Sequence, residues 1–221
     1  MVKNAVGRMV PTEINGIPQS PFMGVGKYKP DGLKAAPPIR SCSDYPMDGN
    51  KVVQSLKDAL QKAGIKDGIT ISSHHHFRNG DLVMNQVFDA SHKLGVKGLR
   101  WFPSATFPCH APIIDHMKNG TVDLVEGSLN GDIGRFASYG EMRQTGVLRS
   151  HGGRWQAVQD GEVHIDIAII AAPTADTFGN ATGDRGSSAC GSLGFALVDS
   201  LYADKVIVVT DNLVPFPCIP W

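Results

Sequence analysis

The chain has 221 residues, 21 basic and 21 acidic side chains, a formal net charge of zero and 42% hydrophobic residues. That length suits one domain with a real core, and the balanced charge excludes the clustered basic surplus of a nucleic-acid binder. No polybasic run marks a membrane surface, and the longest apolar stretch, Ile165 to Pro173, contains Asp166 and is far too short to span a bilayer.

Seven of the 14 prolines precede residue 47, and none lies between Pro46 and Pro103. Residues 1–47 are therefore expected to be an irregular lead-in lying on the surface or on a partner, and 48–221 the folded domain. Met1 to Gly16 lacks the apolar core of a signal peptide. Cys42, Cys109, Cys190 and Cys218 stand far apart without a CxxC pair. The expectation is free thiols in a cytoplasmic protein.

Asn50 to Ala63 places Val53, Leu56, Ala59, Leu60 and Ala63 at helical spacing, with Gly64 as its stop. Ile69–Ser73 is β-branched and reads as a strand. Gly80–Leu94 is a second helix, capped by Asn79 or Asp81 and ended by Gly95. Strands follow at Gly98–Phe102, Thr121–Glu126, Ile165–Ala171 and Lys205–Thr210, and helices at Ile113–Lys118, Asp132–Met142 and Cys190–Ala203. Gly146–Glu162 breaks the rhythm; its Gly152-Gly153 and Asp160-Gly161 pairs predict a hairpin insertion carrying Trp155 and Val158. Alternating strands and helices imply an α/β fold with an open, largely parallel sheet covered by helices on both faces.

Ligands of such sheets bind beyond the carboxyl ends of the strands. After the first strand come His74, His75 and His76, then Phe77 and Arg78. His74 and His76 would share a face if extended, as metal ligands do, but no third ligand stands at a diagnostic spacing and no metal is expected. The turn could instead cradle an anion or oxyanion with backbone N–H groups, Arg78 adding a charged donor, or simply be a polar turn filled by imidazoles. Cys109-His110 suggests a thiol nucleophile, yet adjacent residues rarely pair in that way, and a buried structural cysteine fits better. Gly127 and Ser128 follow the third strand in a turn that can bring backbone close to a ligand. Glu126 there is a candidate nucleophile or base, or a solvated carboxylate of a capping loop. Asp176, Gly179 and Asn180 form a polar turn able to orient a neighbour and bind a polar ligand.

The ordered motifs His74-His75-x-Phe77-Arg78-x-Gly80-Asp81, Cys109-His110-Ala111-Pro112, Ser150-His151-Gly152-Gly153-Arg154, Asp176-x-Phe178-Gly179-Asn180-Ala181 and Cys190-Gly191-Ser192-Leu193-Gly194 with Val198-Asp199 resemble the citrate lyase α-subunit family. That family is a branch of the family I CoA-transferases, of the NagB/RpiA-like fold. The lead-in from Asn4 through Arg8, Pro11, Asn15-Gly16 and Pro21-Phe22 to Gly24 resembles its N-terminus.

The resemblance implies a citrate CoA-transferase, which exchanges acetyl for citryl on a CoA-like thiol and releases acetate. It implies that no cofactor is bound by the chain itself, which would act on CoA or on the phosphoribosyl-dephospho-CoA group of an acyl carrier protein. Its implied partners are the citrate lyase β subunit and the acyl-carrier γ subunit, in a homo-oligomer, with no nucleic acid and no membrane. His74, His75 and Arg78 are assigned to the acyl or citrate end, and Gly127, Ser128, Asp176, Gly179 and Asn180 to substrate or CoA binding. Related transferases place a Gly-rich turn where this chain has its histidines. Their nucleophilic carboxylate belongs to a second α/β half, so this chain reads as a first half. Two other classes stay open: a sugar-phosphate isomerase-like or phosphate-binding protein, and a non-catalytic assembly half.

Overall fold

A computed structural model describes residues 1–21, 36–39 and 45–219. Cys42, most of the predicted lead-in beyond Pro21, and Pro220 and Trp221 lie outside the described residues. The chain opens with two short antiparallel pairs, β1 (Val2–Lys3) with β2 (Met9–Val10) and β3 (Glu13–Ile14) with β4 (Ile17–Pro18). Asn15 and Gly16 turn the second pair at φ 53° and 77°, the left-handed conformations a two-residue hairpin loop requires. Asn15 also donates its side-chain amide to the Met142 carbonyl at 2.9 Å, which ties this hairpin to the body.

The body alternates as predicted. α1 (Leu56–Lys62) starts at Ser55, whose hydroxyl accepts the Asp58 N–H at 3.1 Å. β5 (Thr70–Ser73), α2 (Val83–Lys93), β6 (Leu99–Pro103), α3 (Ile113–Lys118), β7 (Val122–Gly127) and α4 (Gly131–Ser138) follow. After β8 (Val147–Leu148) and α5 (His151–Gln159) come β9 (Ile167–Ala171), β10 (Thr174–Asp176), β11 (Ala181–Thr182), α6 (Gly194–Tyr202), β12 (Lys205–Val209) and β13 (Leu213–Val214). Among these elements no helix is long and apolar enough to cross a membrane.

One predicted element is corrected. The expected hairpin at Gly146–Glu162 is instead the two-residue strand β8 followed by the nine-residue helix α5. Ser150 caps that helix by accepting the Gly153 N–H at 3.1 Å, so the paired glycines occupy a first turn rather than a hairpin loop. Arg154, two turns of sequence signal notwithstanding, is drawn inward from α5 to meet Asp199 of α6. Tertiary pairing overrides the poor helix propensity of Gly-Gly.

β12, β9, β5, β6, β7 and β8 form one six-stranded sheet in that order, with every neighbouring pair parallel. Successive residues of a strand point to opposite faces. Ile71, Trp101, Ile167 and Ile169 therefore pack under α1–α4, while Phe102, Ala168 and Ile170 pack under α5 and α6. β9 is buried along its whole length, as a strand covered on both faces must be. Chain order runs outward from β5 in two directions, through β6 to β8 on one side and through β9 to β12 on the other. The topological switch point lies between β5 and β9. A small separate sheet, β11–β10–β13, continues from the exit of β9.

Candidate functional site

A switch point opens a crevice because the connections leaving its two strands diverge to opposite faces. The crevice here is a cleft of about 660 Å³. His76, Phe77, Gly80 and Val83 from the β5–α2 connection form one wall, and Ser187–Cys190 face them. Ala171 and Ala172 after β9 and Val209–Asp211 at the end of β12 complete it.

The three histidines are distributed by the pleat. His74 is 3% exposed, and its Nε2 accepts the Ala171 N–H at 3.1 Å across the switch point. A neutral imidazole that accepts at Nε2 carries its proton on Nδ1. His74 therefore has no lone pair left for a cation, which closes the metal arrangement its spacing with His76 had suggested. Burial above all, then His76, Arg154 and His75, holds its pKa well below the usual histidine value. His76 lines the cleft with its ring 3.8 Å from that of His74 and tilted by 38°. Burial, helped by His75, lowers its pKa to about 4, so it too is neutral at pH 7. His74 Nδ1 and His76 Nε2 are both buried without a hydrogen-bond partner, a condition rare in native proteins.

His75 points elsewhere. Its Nδ1 lies 2.5 Å from the Ser104 hydroxyl, and its ring centre is 5.8–6.0 Å from those of Phe107, His151 and Phe195. Burial, then His151, Arg78 and Arg154, lowers its pKa. Arg78 is exposed in a single 3-10 turn, at φ 50°. Left-handed backbone is uncommon for a non-glycine residue and concentrates at functional turns.

Beneath the turn lies Arg154, 1% exposed. It makes a two-pronged ion pair with fully buried Asp199, both contacts at 2.8 Å, and its Nη2 donates to the carbonyls of Phe102 at 3.0 Å and Ser73 at 3.4 Å. The guanidinium also stacks on Phe102, 4.3 Å from the ring centre. It thus ties the carboxyl ends of β5 and β6 from below.

Other candidates lie apart from the cleft. Glu126 is fully buried and held between Arg100 and Arg149, the latter reaching on to Glu162. A carboxylate so enclosed is not free to act as nucleophile or base. Gly127 packs against the end of β6, where an added Cβ would stand 2.0 Å from the Pro103 carbonyl oxygen. Ser128 accepts the Thr106 N–H through its carbonyl. Cys109 donates its thiol toward the Asp81 carbonyl at 3.3 Å, and burial pushes its pKa up. His110 instead accepts the Phe107 N–H at Nδ1, 3.0 Å away, so the adjacent pair forms no dyad. Cys109, Cys190 and Cys218 are free thiols.

Asp176 is buried at the base of its turn. Its carboxylate accepts from the N–H groups of Phe178, Asn180 and Cys218 and from the Asn180 amide, at 2.9–3.3 Å. Burial raises its pKa, but these hydrogen bonds outweigh that and hold it below the usual carboxylate value. Gly179 and Asn180 are exposed at the tip, Gly179 at φ 87°. A His164–Asp166–Asp204 group lies at the opposite edge of the sheet, where His164 pairs with Asp204 and Asp166 accepts the Thr70 N–H.

Sequence reasoning placed the histidine turn, His76 included, and the segment from Ala172 at strand exits but did not bring Ala171 and Val209–Asp211 into the same cleft. Ala171, Val209 and Thr210 end predicted strands and Asp211 follows one, so the signal was present. What singles them out is strand order, which no local pattern carries.

A family model described as citrate lyase, alpha subunit (CitF) matches residues 49–221. The citrate lyase alpha chain of Haemophilus influenzae is 41% identical over 199 residues, spanning 89% of this chain and 40% of that one. The Escherichia coli K12 alpha chain is 41% identical over 171 residues, 77% of this chain and 34% of that one. A Streptococcus mutans crystal structure named as the citrate lyase alpha subunit in complex with citrate superposes with a TM-score of 0.86 at 40% identity. It covers 98% of this chain and 42% of its own. An acyl-CoA transferase from E. coli O157:H7, at 14% identity and a TM-score of 0.54, shares the fold. The chain thus spans about two-fifths or less of the length of these citrate lyase relatives.

Proposed function

The chain belongs to the citrate lyase alpha-subunit family, and on that premise we propose that it supplies the thioester-binding half of a citrate CoA-transferase. In that reaction an enzyme carboxylate displaces the CoA-like thiol from an acetyl-thioester to form an acyl anhydride, and a carboxylate of citrate then displaces the enzyme carboxylate from it. The thiol then takes the citryl group, and acetate leaves. The observation that carries the reading is the cleft at the switch point, lined by neutral His76 and backed by neutral His74, each with one unpartnered nitrogen.

Phe77, Val83, Ala171, Ala172 and Val209 offer the apolar surface that a pantetheine arm needs. The backbone N–H groups of His74 and His75, with Arg78, are assigned to the oxyanion and carboxylate end. One such donor is worth about 2.7–4 kcal/mol of barrier. The exposed tip at Gly179 and Asn180, fixed by Asp176, is assigned to the outer part of the arm. Gly127 and Ser128 do not line the cleft, and no role in it is assigned to them. Citrate as the acceptor of the thiol is supported by the S. mutans relative, which is in complex with it. The physiological thiol is that of a phosphoribosyl-dephospho-CoA group on an acyl-carrier γ subunit, and a β subunit cleaves the citryl-thioester.

Among the described residues lining the cleft the one carboxylate is Asp211, and it accepts the Ser188 hydroxyl at 2.8 Å. Glu126 is closed by its arginines. The nucleophile is accordingly assigned to the portion of the relatives beyond this chain. The test is CoA transfer from acetyl-CoA to citrate by the chain alone, and again after adding the remaining portion of a relative's alpha chain. Silence followed by restored turnover is expected; robust turnover by the chain alone would sink the half-site reading.

A further inference from the structure

The β5–β9 ladder is short. It pairs Ile71 with Ile167 and Ser72 with Ala168, whereas β9 continues beside β12 as far as Ala171. The last residues of β9 therefore run past the point where β5 has turned away, and the Ala171 N–H faces a gap in the ladder. Its acceptor is a side chain, His74 Nε2 at 3.1 Å. The two strand ends so joined are the floor of the cleft, because His76 stacks on His74 and Ala171 and Ala172 line the cleft directly.

We propose that His74 is a positioning residue, an imidazole locked with its proton on Nδ1 whose Nε2 replaces the missing ladder bond to Ala171 and so sets the width of the cleft floor. The inference rests on the reading of the cleft as the site of a CoA-like arm. The His74 side chain does not touch that arm; it acts through His76, Ala171 and Ala172. Protein surfaces that recognise a ligand need their supporting groups held to a fraction of an ångström, and a gap in a ladder at the binding edge is where that support is weakest. Buried Arg154 holds the carboxyl end of β5 toward β6 through the Ser73 and Phe102 carbonyls. His74 holds it toward β9. The turn is thereby fixed on both sides.

Two variants separate the acceptor from the bulk: His74→Gln, whose side-chain oxygen can accept the Ala171 N–H, and His74→Leu, which fills similar space without an acceptor. Nitrogen-15 NMR of the wild-type chain should show the His74 proton on Nδ1 at pH 7. Hydrogen exchange at the Ala171 amide should be about tenfold faster in His74→Leu and close to wild type in His74→Gln. CoA binding by calorimetry should weaken about fivefold in His74→Leu and recover in His74→Gln. A proton on Nε2, an imidazolium at pH 7, or unchanged Ala171 exchange in His74→Leu overturns the proposal. If the leucine variant does not fold, the wild-type tautomer and the glutamine variant decide. Absence of CoA binding by the wild-type chain, with tautomer and exchange as expected, would remove the functional reading of the cleft and leave the pin standing.

Discussion

β7 leaves the sheet between two arginines, and β5 leaves it beside two imidazoles that each keep one unpartnered nitrogen. Both exits lie on the carboxyl edge of one parallel sheet, yet the first is closed by ion pairs from Arg100 and Arg149 to buried Glu126, with Gly127 against the Pro103 carbonyl. The second opens into a cleft with His74 Nδ1 and His76 Nε2 unsatisfied. The difference follows from strand order. β7 continues in the same direction to β8, so its exit is covered; β5 and β9 send their connections to opposite faces, so theirs cannot be. A strand's carboxyl end is a necessary address for a site, and the switch point makes it sufficient.

The largest effect is expected beneath the open exit. Arg154→Leu leaves fully buried Asp199 without its partner, and removing one member of a buried pair costs about 3–5 kcal/mol. Chemical denaturation measures it; a loss under about 1 kcal/mol would mean the exit is not held from below. At the closed exit, Glu126→Gln should cost about 1–3 kcal/mol, because both arginines retain some access to water. Reconstituted CoA transfer to citrate should survive it. Selective loss of transfer in a stable Glu126→Gln protein would break the comparison by making the closed side catalytic.

The pH dependence sharpens the contrast further. His76 and His110 are lowered from 6.5 to about 4, first by burial, so each contributes stability above pH 6.5 that is lost as pH falls toward 4. Asp81, raised by burial from 3.8 to about 6, acts in the opposite sense: its contribution is full below pH 4 and lost as pH rises through 6. Asp81→Asn should therefore be more stable than wild type at pH 7 by about 2 kcal/mol, with the difference vanishing near pH 4. Denaturation midpoints at the two pH values decide this. The smallest stability effect belongs to the open exit itself. His76→Ala removes an unsatisfied nitrogen and should change stability by about 0.5 kcal/mol or less, while weakening CoA binding several-fold. A large destabilisation with unchanged CoA affinity would make His76 a packing residue.

Strand and helix periodicity made most of the body legible. α3 lies at the predicted Ile113–Lys118, and β5, β6, β7, β9 and β12 lie within two residues of their predicted limits. α5 was hidden because its Gly152-Gly153 start has a hairpin's local chemistry, and only the distant Asp199 makes a helix the better solution. The histidine turn could be located from its place after a strand. The partition of its three rings could not, since it depends on Ala171, Ser104 and His151, which are between 29 and 97 residues away for the two hydrogen-bonded partners. The Asp176 turn was legible as a turn, while the saturation of its carboxylate required Cys218, 42 residues on.

The proposed function requires the switch-point cleft, and not the Glu126 side, to receive the CoA-like arm. Amide hydrogen exchange of the chain with and without CoA tests it most directly. Protection is predicted at residues 74–78, 171–172, 187–190 and 209–211, with none at 126–131. Protection confined to 126–131 would contradict the account.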